Sequence, residues 1–577
     1  MRPLINHAAC IESNSKAVKI MNTSQFVTLI FTIISMAFLS VSDSQANPVR
    51  YAKENVEGVN IFYREAGDPV QQAVALLHGF PSSSYQYREV LAGLGDEFYI
   101  LAPDYPGFGY SDKPGIEEYS YSFDSLAKTI GQFLKQKGVI HYFLMVHDYG
   151  APIGFRLATE APEKLAGLIV MNGNIYQEGL SPLARNSLSQ ARTPEDEVEK
   201  IKSFMSLEGI KWMYTSGVKN PNTISPDSWH FDYAILEEPH VTALNLELLY
   251  DYPNNVQLYP VWQKFLRDQQ PPTLIVWGKN DPIFPESGAI AYKDDLKKID
   301  YHIYDTGHFP LEDYADDIIE KIRGFLNDQS NQNTHDARAL ISKVVEANGG
   351  AQALRRLSDV SFDYTFRIKN TDAVDTSHER YIFEGEISYA EYSKREVYAV
   401  PQLSGSYTQF FNGTQTVSKL NGNLITEQQP AQVGHALRRT NYYWFAMMFK
   451  LLDPGVNHKL LPTRIVDGIS YKIVEITFGD NIGDVKDRFV LYVNPETYKV
   501  DQFLYTAVGF GVTDPSLMKV KYEEINGVYL TTYRKYAPAD WEGNVIKDFW
   551  TEQLTENVTF NTGFDTTTIQ GPMEQSK

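Results

Sequence analysis

The sequence predicts an α/β domain followed by an antiparallel β-rich domain. Between about residues 50 and 327, short apolar runs end in glycine-rich or acidic turns and alternate with helical patterns. Beyond residue 339, apolar and polar residues alternate with the period of two that is typical of half-buried strands. The length of 577 residues is also too great for a single core.

The N-terminus has the features of a secretory signal. The apolar run Phe26–Val41 follows two lysines and precedes a small-x-small cleavage site at residues 44–46. Its 16 residues are few for a membrane span, which needs roughly 20. We therefore expect residues 1–46 to be a cleaved signal peptide and the mature chain to be periplasmic or secreted, with no membrane span; an uncleaved anchor is the alternative. Cys10, the single cysteine, would be lost with the signal, so the mature chain would fold without disulfides.

Two apolar runs near the start of the α/β region end in loops rich in glycine and aromatic residues. Val74–Leu77 precedes HGFP at 78–81, and Tyr99–Ala102 precedes DYPGFGYSDKP at 104–114. Both patterns indicate a buried strand followed by a tight turn.

The segment at 146–150, VHDYG, is the part of the sequence that most restricts the type of reaction. It follows an apolar run and predicts a strand that turns sharply into a helix, with Asp148 at the tip. A carboxylate that attacks an acyl group forms an anhydride, whereas attack on an sp3 carbon bearing a leaving group forms an ordinary ester that water can hydrolyse. Asp148 therefore favours epoxides or alkyl halides over esters and peptides. We expect the backbone N–H groups of Phe80 and Tyr149 to hold a carboxylate oxygen at this turn.

Two further candidates follow in the order nucleophile, acid, histidine. The apolar run Thr273–Trp277 precedes a turn containing Asp281, the candidate acid, and His308 follows the next apolar strand as the candidate base. The strand Leu168–Met171 ends without a carboxylate, which favours Asp281 as the acid. Taken alone, Asp281 before a proline is also an ordinary turn residue, and Asp148 an ordinary helix N-cap.

Five motifs at matching spacing resemble the haloalkane dehalogenase and epoxide hydrolase branch of the α/β-hydrolase superfamily. They are HGFP at 78–81, DYPGFGYSDKP at 104–114, VHDYG at 146–150, WGKNDPIF at 277–284 and GHFPLED at 307–313. The resemblance covers about residues 50–327 and implies the α/β-hydrolase fold with a cap at about 176–265. It also implies Asp148 as nucleophile, His308 as the base that activates water, and Asp281 as the acid that orients the base.

Departures from this branch bear on the leaving group. Related dehalogenases usually hold the halide with a tryptophan directly after the nucleophile, together with an asparagine in the first loop or a second tryptophan in the cap. This chain has Tyr149 and Phe80 at the first two positions. The HGFP loop is closer to the epoxide hydrolase version, in which cap tyrosines protonate the ring oxygen. The predicted cap is rich in tyrosines: Tyr176, Tyr214, Tyr233, Tyr250, Tyr252 and Tyr259. The resemblance thus implies epoxide hydrolase-like activity on a small apolar substrate, with haloalkane dehalogenase-like activity as the alternative.

A second domain is predicted at residues 339–577, after a polar linker at 328–338 that lacks apolar periodicity. It begins with a helical pattern at Ala339–Asn348 and continues as strands, with one helical interruption near Tyr442–Leu452. The EANGG helix end and the LYVNPETYKVD hairpin resemble periplasmic lipoprotein-sorting carriers, whose half-barrel holds an acyl chain. We expect this domain to bind an apolar ligand or a protein partner, or to be a closed sheet packed on the hydrolase.

The composition limits the classes of molecule that the protein is expected to bind. The net charge of −20 argues against nucleic acid or an anionic membrane. No metal or cofactor is expected, because no His/Cys/Asp cluster has metal-ligand spacing and no glycine-rich phosphate loop occurs. A non-catalytic protein that binds or carries an apolar ligand is the second functional hypothesis, and the intact Asp–His–Asp set favours the enzyme.

Overall fold

The computed structural model describes residues 48–69, 71–188, 202–479 and 487–566. The predicted signal peptide and its cleavage site lie outside these residues. Among the described residues, no helix combines the length and the apolar character needed to cross a membrane.

The first half of the chain forms an eight-stranded sheet in the order β1-β2-β4-β3-β5-β6-β7-β8. Its strands are β1 (Arg50–Val56), β2 (Val59–Ala66), β3 (Ala73–Leu77), β4 (Tyr99–Pro103), β5 (Tyr142–His147), β6 (Leu165–Met171), β7 (Thr273–Gly278) and β8 (Ile299–Tyr304). The pairs β1–β2 and β2–β4 are antiparallel, and every pair from β4 to β8 is parallel.

Helices cover both faces of this sheet. They are α1 (Arg88–Leu94), α2 (Phe123–Gln136), α3 (Gly150–Glu160), α4 (Pro182–Leu188), α5 (Leu207–Thr215), α6 (Pro226–Leu236), α7 (Val241–Gln269), α8 (Glu286–Asp295) and α9 (Ala315–Ala347). Strands β3, β4, β5 and β7 are buried along their whole length, because apolar cores lie on both sides of them. This is why their sequences are continuous apolar runs rather than alternating ones. Helices α4 to α7 lie between β6 and β7, in the region predicted to be a cap.

Helix α9 runs through residues 328–338, so the segment predicted as a linker is helical. Its first turns bury Ile318 and Ile322 in the core of the hydrolase sheet, and its last turns bury Ile341 and Val344 in the core of the second domain. The middle is mostly polar because a helix that bridges two domains through solvent needs no apolar stripe. Asn333 ties this middle part to the second domain, since its side chain accepts from the backbone N–H of Leu460 at 2.8 Å and donates to the Leu460 carbonyl at 3.1 Å.

The second half of the chain forms one 13-stranded antiparallel sheet. Its strands are β9 (Asp359–Ile368), β10 (Ala373–Ile382), β11 (Ile387–Arg395), β12 (Tyr407–Phe411), β13 (Thr416–Leu420), β14 (Asn423–Leu424), β15 (Val456–Val466), β16 (Ile469–Phe478), β17 (Phe489–Val493), β18 (Val500–Ala507), β19 (Val512–Ile525), β20 (Val528–Pro538) and β21 (Thr551–Phe560). The order is β14-β13-β12-β11-β10-β9-β21-β20-β19-β18-β17-β16-β15. The first and the last strand of this sheet along the chain, β9 and β21, therefore pair with each other near the middle of the sheet.

Two helices follow α9 in the second half: α10 (Ala353–Arg356) and α11 (Gln428–Lys450). The predicted interruption near Tyr442–Leu452 matches only the end of α11, which begins well before it. The sequence does not indicate the first half of α11, because that part of the helix buries polar groups. Arg438 is fully buried there and forms an ion pair with Glu379 of β10, so apolar residues do not recur at helical spacing.

Candidate active site

Asp148 lies at the turn between β5 and α3 with a φ of 49°, a conformation that costs a non-glycine residue energy and is typical of functional sites. Two glycines permit this turn. A Cβ on Gly79 would lie 2.3 Å from the Asp148 Cβ, and a Cβ on Gly150 would lie 2.1 Å from the Leu77 carbonyl oxygen. The HGFP loop and the start of α3 can therefore approach the carboxylate only because both positions lack side chains.

The two oxygens of Asp148 face different groups. Oδ1 accepts a hydrogen bond of 2.7 Å from the backbone N–H of Phe80, and Oδ2 lies 3.7 Å from Nε2 of His308. Burial raises the pKa of Asp148, while the nearby His308 and the backbone N–H groups of Phe80 and Tyr149 oppose the rise. The predicted pair of backbone donors is thus placed at this carboxylate.

His308 is oriented by Asp281. Its Nδ1 lies 2.7 Å from Oδ2 of Asp281, and both side chains are fully buried. Burial alone would lower the pKa of His308, but the carboxylates of Asp281 and then Asp148 raise it overall. Since Nδ1 donates to Asp281, Nε2 carries the lone pair of the neutral ring and faces Asp148. Nε2 has no hydrogen-bond partner among the described residues, so it can take a proton from a bound water.

Asn172 belongs to this site, although the sequence offered it only as a missing carboxylate. Its Nδ2 donates to Asp281 Oδ2 at 2.7 Å and to the carbonyl of Gly278 at 3.2 Å, and its Oδ1 accepts from the N–H of Gly278 at 2.9 Å. The backbone N–H of Ile283 holds the other Asp281 oxygen at 2.7 Å. The sequence does contain one signal for Asn172, which is a polar residue directly after a buried strand. That strand, β6, pairs with β7, the strand that precedes Asp281.

A cavity of about 90 Å³ opens beside Asp148. Apart from Asp148 its lining is apolar or aromatic: Phe80, Tyr149, Leu183, Ala184, Phe204, Met205, Trp212, Met213, Leu249 and Ile283. Sequence reasoning missed Trp212 of α5, because nothing in the local pattern distinguishes it from a packing residue. Trp212 carries the one N–H donor among the side chains that line this cavity.

Five of the six cap tyrosines, all but Tyr250, divide into two groups. Tyr176, Tyr214 and Tyr233 donate their hydroxyls to Asp295, Asp232 and Glu237, so these hydroxyls are engaged away from Asp148. Tyr252 and Tyr259 are both buried, and their hydroxyl oxygens lie 3.4 Å apart. Burial is the main cause of their raised pKa values, and the charge of Asp148 adds to the rise for both. The ring of Tyr252 also lies 6.1 Å from that of Tyr149, which lines the cavity.

The structure thus brings together Asp148, Asp281, His308 and the backbone of Phe80 and Tyr149, all five sites named from the sequence. Their catalytic roles stay predictions. The described part of the chain contains no group of three or more His, Cys, Asp or Glu side chains arranged to hold a metal ion.

Comparison with known proteins identifies the first half. Residues 72–315 match the family model of the α/β hydrolase fold. An uncharacterised hydrolase from Saccharomyces cerevisiae is 39% identical over 279 residues, which make up 47% of this chain and 96% of that protein. This chain belongs to the α/β-hydrolase family. The α/β hydrolase is also similar to a cis-3-alkyl-4-alkyloxetan-2-one decarboxylase from Shewanella oneidensis, at 27% identity over 44% of this chain and 82% of that protein. Haloalkane dehalogenase 2 from Mycobacterium tuberculosis is 36% identical over 20% of this chain and 40% of that protein.

The first half is also similar to solved structures. A haloalkane dehalogenase loop variant from Bradyrhizobium elkanii has 21% identity, covers 49% of this chain and 97% of its own, and has a TM-score of 0.40. An epoxide hydrolase has 18% identity, covers 49% of this chain and 99% of its own, and has a TM-score of 0.40.

Proposed function

We propose that this α/β hydrolase opens small apolar epoxides through an alkyl ester on Asp148. The observation that supports the proposal is the placement of the carboxylate. One oxygen is held by the N–H of Phe80 at 2.7 Å, the other lies 3.7 Å from His308 Nε2, and Asp148 lines the apolar cavity. A carboxylate so placed is a nucleophile for an sp3 carbon, with a base ready for the second step.

In the first step Oδ2 of Asp148 attacks a ring carbon. The new ester C–O bond forms as the ring C–O bond breaks, and the ring oxygen takes a proton from a cap hydroxyl. Tyr252 and Tyr259 are the candidate donors, since their hydroxyl oxygens lie 3.4 Å apart and the ring of Tyr252 lies 6.1 Å from that of Tyr149, which lines the cavity.

In the second step His308 Nε2 takes a proton from water, and the hydroxide attacks the ester carbonyl carbon. The oxyanion forms at the oxygen held by the N–H groups of Phe80 and Tyr149, where it gains most from them. The bond between the carbonyl carbon and the alkyl oxygen then breaks, and the leaving alkoxide takes the proton from His308 to complete the diol. The carboxyl proton left on Asp148 returns to the deprotonated cap hydroxyl, which restores the Asp148 carboxylate and the donor. Asp281 stabilises the protonated His308 throughout, because it lies 2.7 Å from Nδ1.

Haloalkanes are the second candidate substrates. Trp212 lines the cavity next to Asp148, and an indole N–H there is a suitable donor for a departing halide. The decarboxylase relative acts, by its name, on a strained four-membered lactone, so an oxetan-2-one belongs in the same substrate panel. A purely non-catalytic carrier is disfavoured, since a scaffold without chemistry has no need to keep Asp148, His308 and Asp281 in register.

The test is incubation of the mature protein with short epoxides, bromoalkanes and an oxetan-2-one, followed by measurement of diol, bromide and decarboxylation product. Diol formation by wild type and its loss in Asp148→Asn are the expected results. Bromide release without diol formation would favour the dehalogenase alternative. Absence of turnover across the panel would contradict the proposal and favour the carrier.

We also propose that the protein is exported after cleavage of residues 1–46. The support is the apolar run Phe26–Val41 followed by the small-x-small site. N-terminal sequencing of protein from an envelope or medium fraction should find a start near Asn47. A soluble cytoplasmic pool that retains Met1 or Met21 would contradict it.

A further inference from the structure

The second domain contains a cavity much larger than the one beside Asp148 in the hydrolase domain. It lies between α11 and the sheet, and its volume of about 860 Å³ falls within the range of about 300–1,000 Å³ that holds small-molecule ligands. Residues of α11 line one side, and residues of β9, β17, β18, β20 and β21 line the other. Its volume is nearly ten times that of the cavity beside Asp148.

The walls of this cavity are largely aromatic. Trp444 of α11 lies against Phe489 at 6.0 Å and against Tyr505 at 5.1 Å between ring centroids. Tyr536 continues the wall, 6.0 Å from Tyr505 and 6.5 Å from Phe366. Aromatic surfaces of this kind favour an apolar occupant, since each ring covered by it leaves contact with water.

A buried positive charge lies directly behind this wall. Arg534 of β20 is 3% exposed; its Nε donates to Gln553, and its Nη1 donates to the carbonyl of Trp444 and to Thr531. Trp444 and Gln553 both line the cavity. All three acceptors are neutral, and within the described part of the chain no carboxylate forms an ion pair with Arg534 and Nη2 has no acceptor. A buried charge without a counter-charge is costly.

Arg438 shows how the same domain treats a buried arginine that has a partner. Its Nη1 and Nη2 donate to the two oxygens of Glu379 at 2.5 and 2.9 Å, and both side chains are fully buried. That pair is complete within the protein. In contrast, Arg534 is buried without a carboxylate partner among the described residues.

The acidic groups that line the cavity are already engaged. Asp375 accepts four backbone N–H groups, from residues 396–399. Glu386 and Asp453 both pair with Lys450. Asp487 accepts from the hydroxyl of Thr506 and the N–H of Val508, and burial raises its pKa. None of these carboxylates pairs with Arg534, and the lining also includes the basic side chains of His435 and Arg439.

We propose that the cavity of the second domain binds a single-chain amphiphile with a carboxylate head, whose apolar chain lies along the aromatic wall and whose head lies at the Trp444–Gln553 side, facing Arg534. The carboxylate would supply the missing counter-charge and could accept from Nη2 after a small movement of Trp444 or Gln553. The site is separate from the Asp148 site, so the proposal does not depend on the hydrolase reaction.

The test uses the full mature chain and a fluorescent probe, 11-(dansylamino)undecanoate, displaced by palmitate, hexadecanol or hexadecylamine. We expect binding of the probe at micromolar concentration and an affinity for palmitate at least about tenfold above that for hexadecanol, as one charge-assisted hydrogen bond would give. Equal affinities of acid and alcohol, or tighter binding of the amine, would overturn the head-group assignment. Absence of probe binding would overturn the site.

Variants locate the ligand. Arg534→Gln should remove the preference for palmitate and leave hexadecanol binding within about threefold, whereas Lys535→Gln, the neighbour on the same strand, should keep both. Val512→Trp places a bulky ring in the lining at an exposed position and should weaken every ligand. If Arg534→Gln does not fold, the comparison of acid with alcohol in wild type decides the head group and Val512→Trp decides the location. Undiminished binding in Val512→Trp would refute this cavity as the site.

Discussion

Asn172→Ala tests whether the asparagine after β6 holds Asp281, the proposed acid, in place. The substitution removes the 2.7 Å hydrogen bond to Asp281 and leaves the buried N–H of Gly278 without its acceptor. A hydrogen bond to a charged group contributes about 1.5–3 kcal/mol, and an unsatisfied buried donor costs about 1–3 kcal/mol. We therefore expect the free energy of unfolding to fall by roughly 3–5 kcal/mol, at the lower end if water enters the space.

The same variant should slow hydrolysis of the ester more than its formation. If the 1.5–3 kcal/mol lost at Asp281 appears wholly in the second step, the rate of that step falls by about 10- to 150-fold. Urea unfolding followed by tryptophan fluorescence measures the stability, and single-turnover kinetics separate the two steps. Asn280→Ala is the matched control, since Asn280 is exposed and bonds to Gly217 and Asp305 outside the site. A hydrolysis rate within twofold of wild type in folded Asn172→Ala would refute the positioning role.

Four further predictions concern the same site and the helix that leaves it. His308→Gln should accumulate a covalent adduct with a reactive epoxide, because the ester forms without a base to clear it, while Asp148→Asn should stay unmodified; intact-protein mass spectrometry distinguishes them. Hydrolysis should fall as the pH drops through the raised pKa of His308, because the neutral ring is the base; an acid limb below the ordinary histidine value of 6.5 in a pH–rate profile would contradict this. Gly79→Ala should abolish turnover, since the new Cβ would meet the Asp148 Cβ at 2.3 Å, and a folded, fully active variant by circular dichroism and diol assay would refute the close approach. Limited proteolysis should spare residues 328–338, because helix α9 withholds their backbone from a protease; a first cut there, read by mass spectrometry, would contradict the continuous helix.

The parts of the site that the sequence predicted are those in which chemistry and local structure coincide. Asp148 follows an apolar strand at a turn, Asp281 follows another, and His308 follows a third, so each can be placed from its own neighbours. The α/β class follows from the same buried strands, because a parallel sheet covered on both faces leaves continuous apolar runs. The alternation after residue 339 predicted the antiparallel sheet for the same kind of reason.

The parts that the sequence did not predict depend on distant contacts or on exposure. Asn172 and Trp212 acquire their positions from the pairing of β6 with β7 and from the packing of the cap, which leave no local pattern. The helical conformation of residues 328–338 has no signal in the sequence, because a solvent-exposed helix needs no apolar period. The start of α11 was missed because Arg438 buries charge where an apolar residue would have marked the helix.

The continuous helix α9 has a thermodynamic consequence for the whole chain. Its 33 residues extend over about 50 Å, and its two ends are built into the cores of different domains. Unfolding of either core would remove the packing that stabilises one end of α9. We therefore expect the two halves to melt in one cooperative transition. Anything that binds one native half then stabilises the other: a ligand at 100 times its dissociation constant adds about 2.7 kcal/mol to the folded state. A fatty acid in the second domain would thereby raise the temperature at which the hydrolase loses its activity.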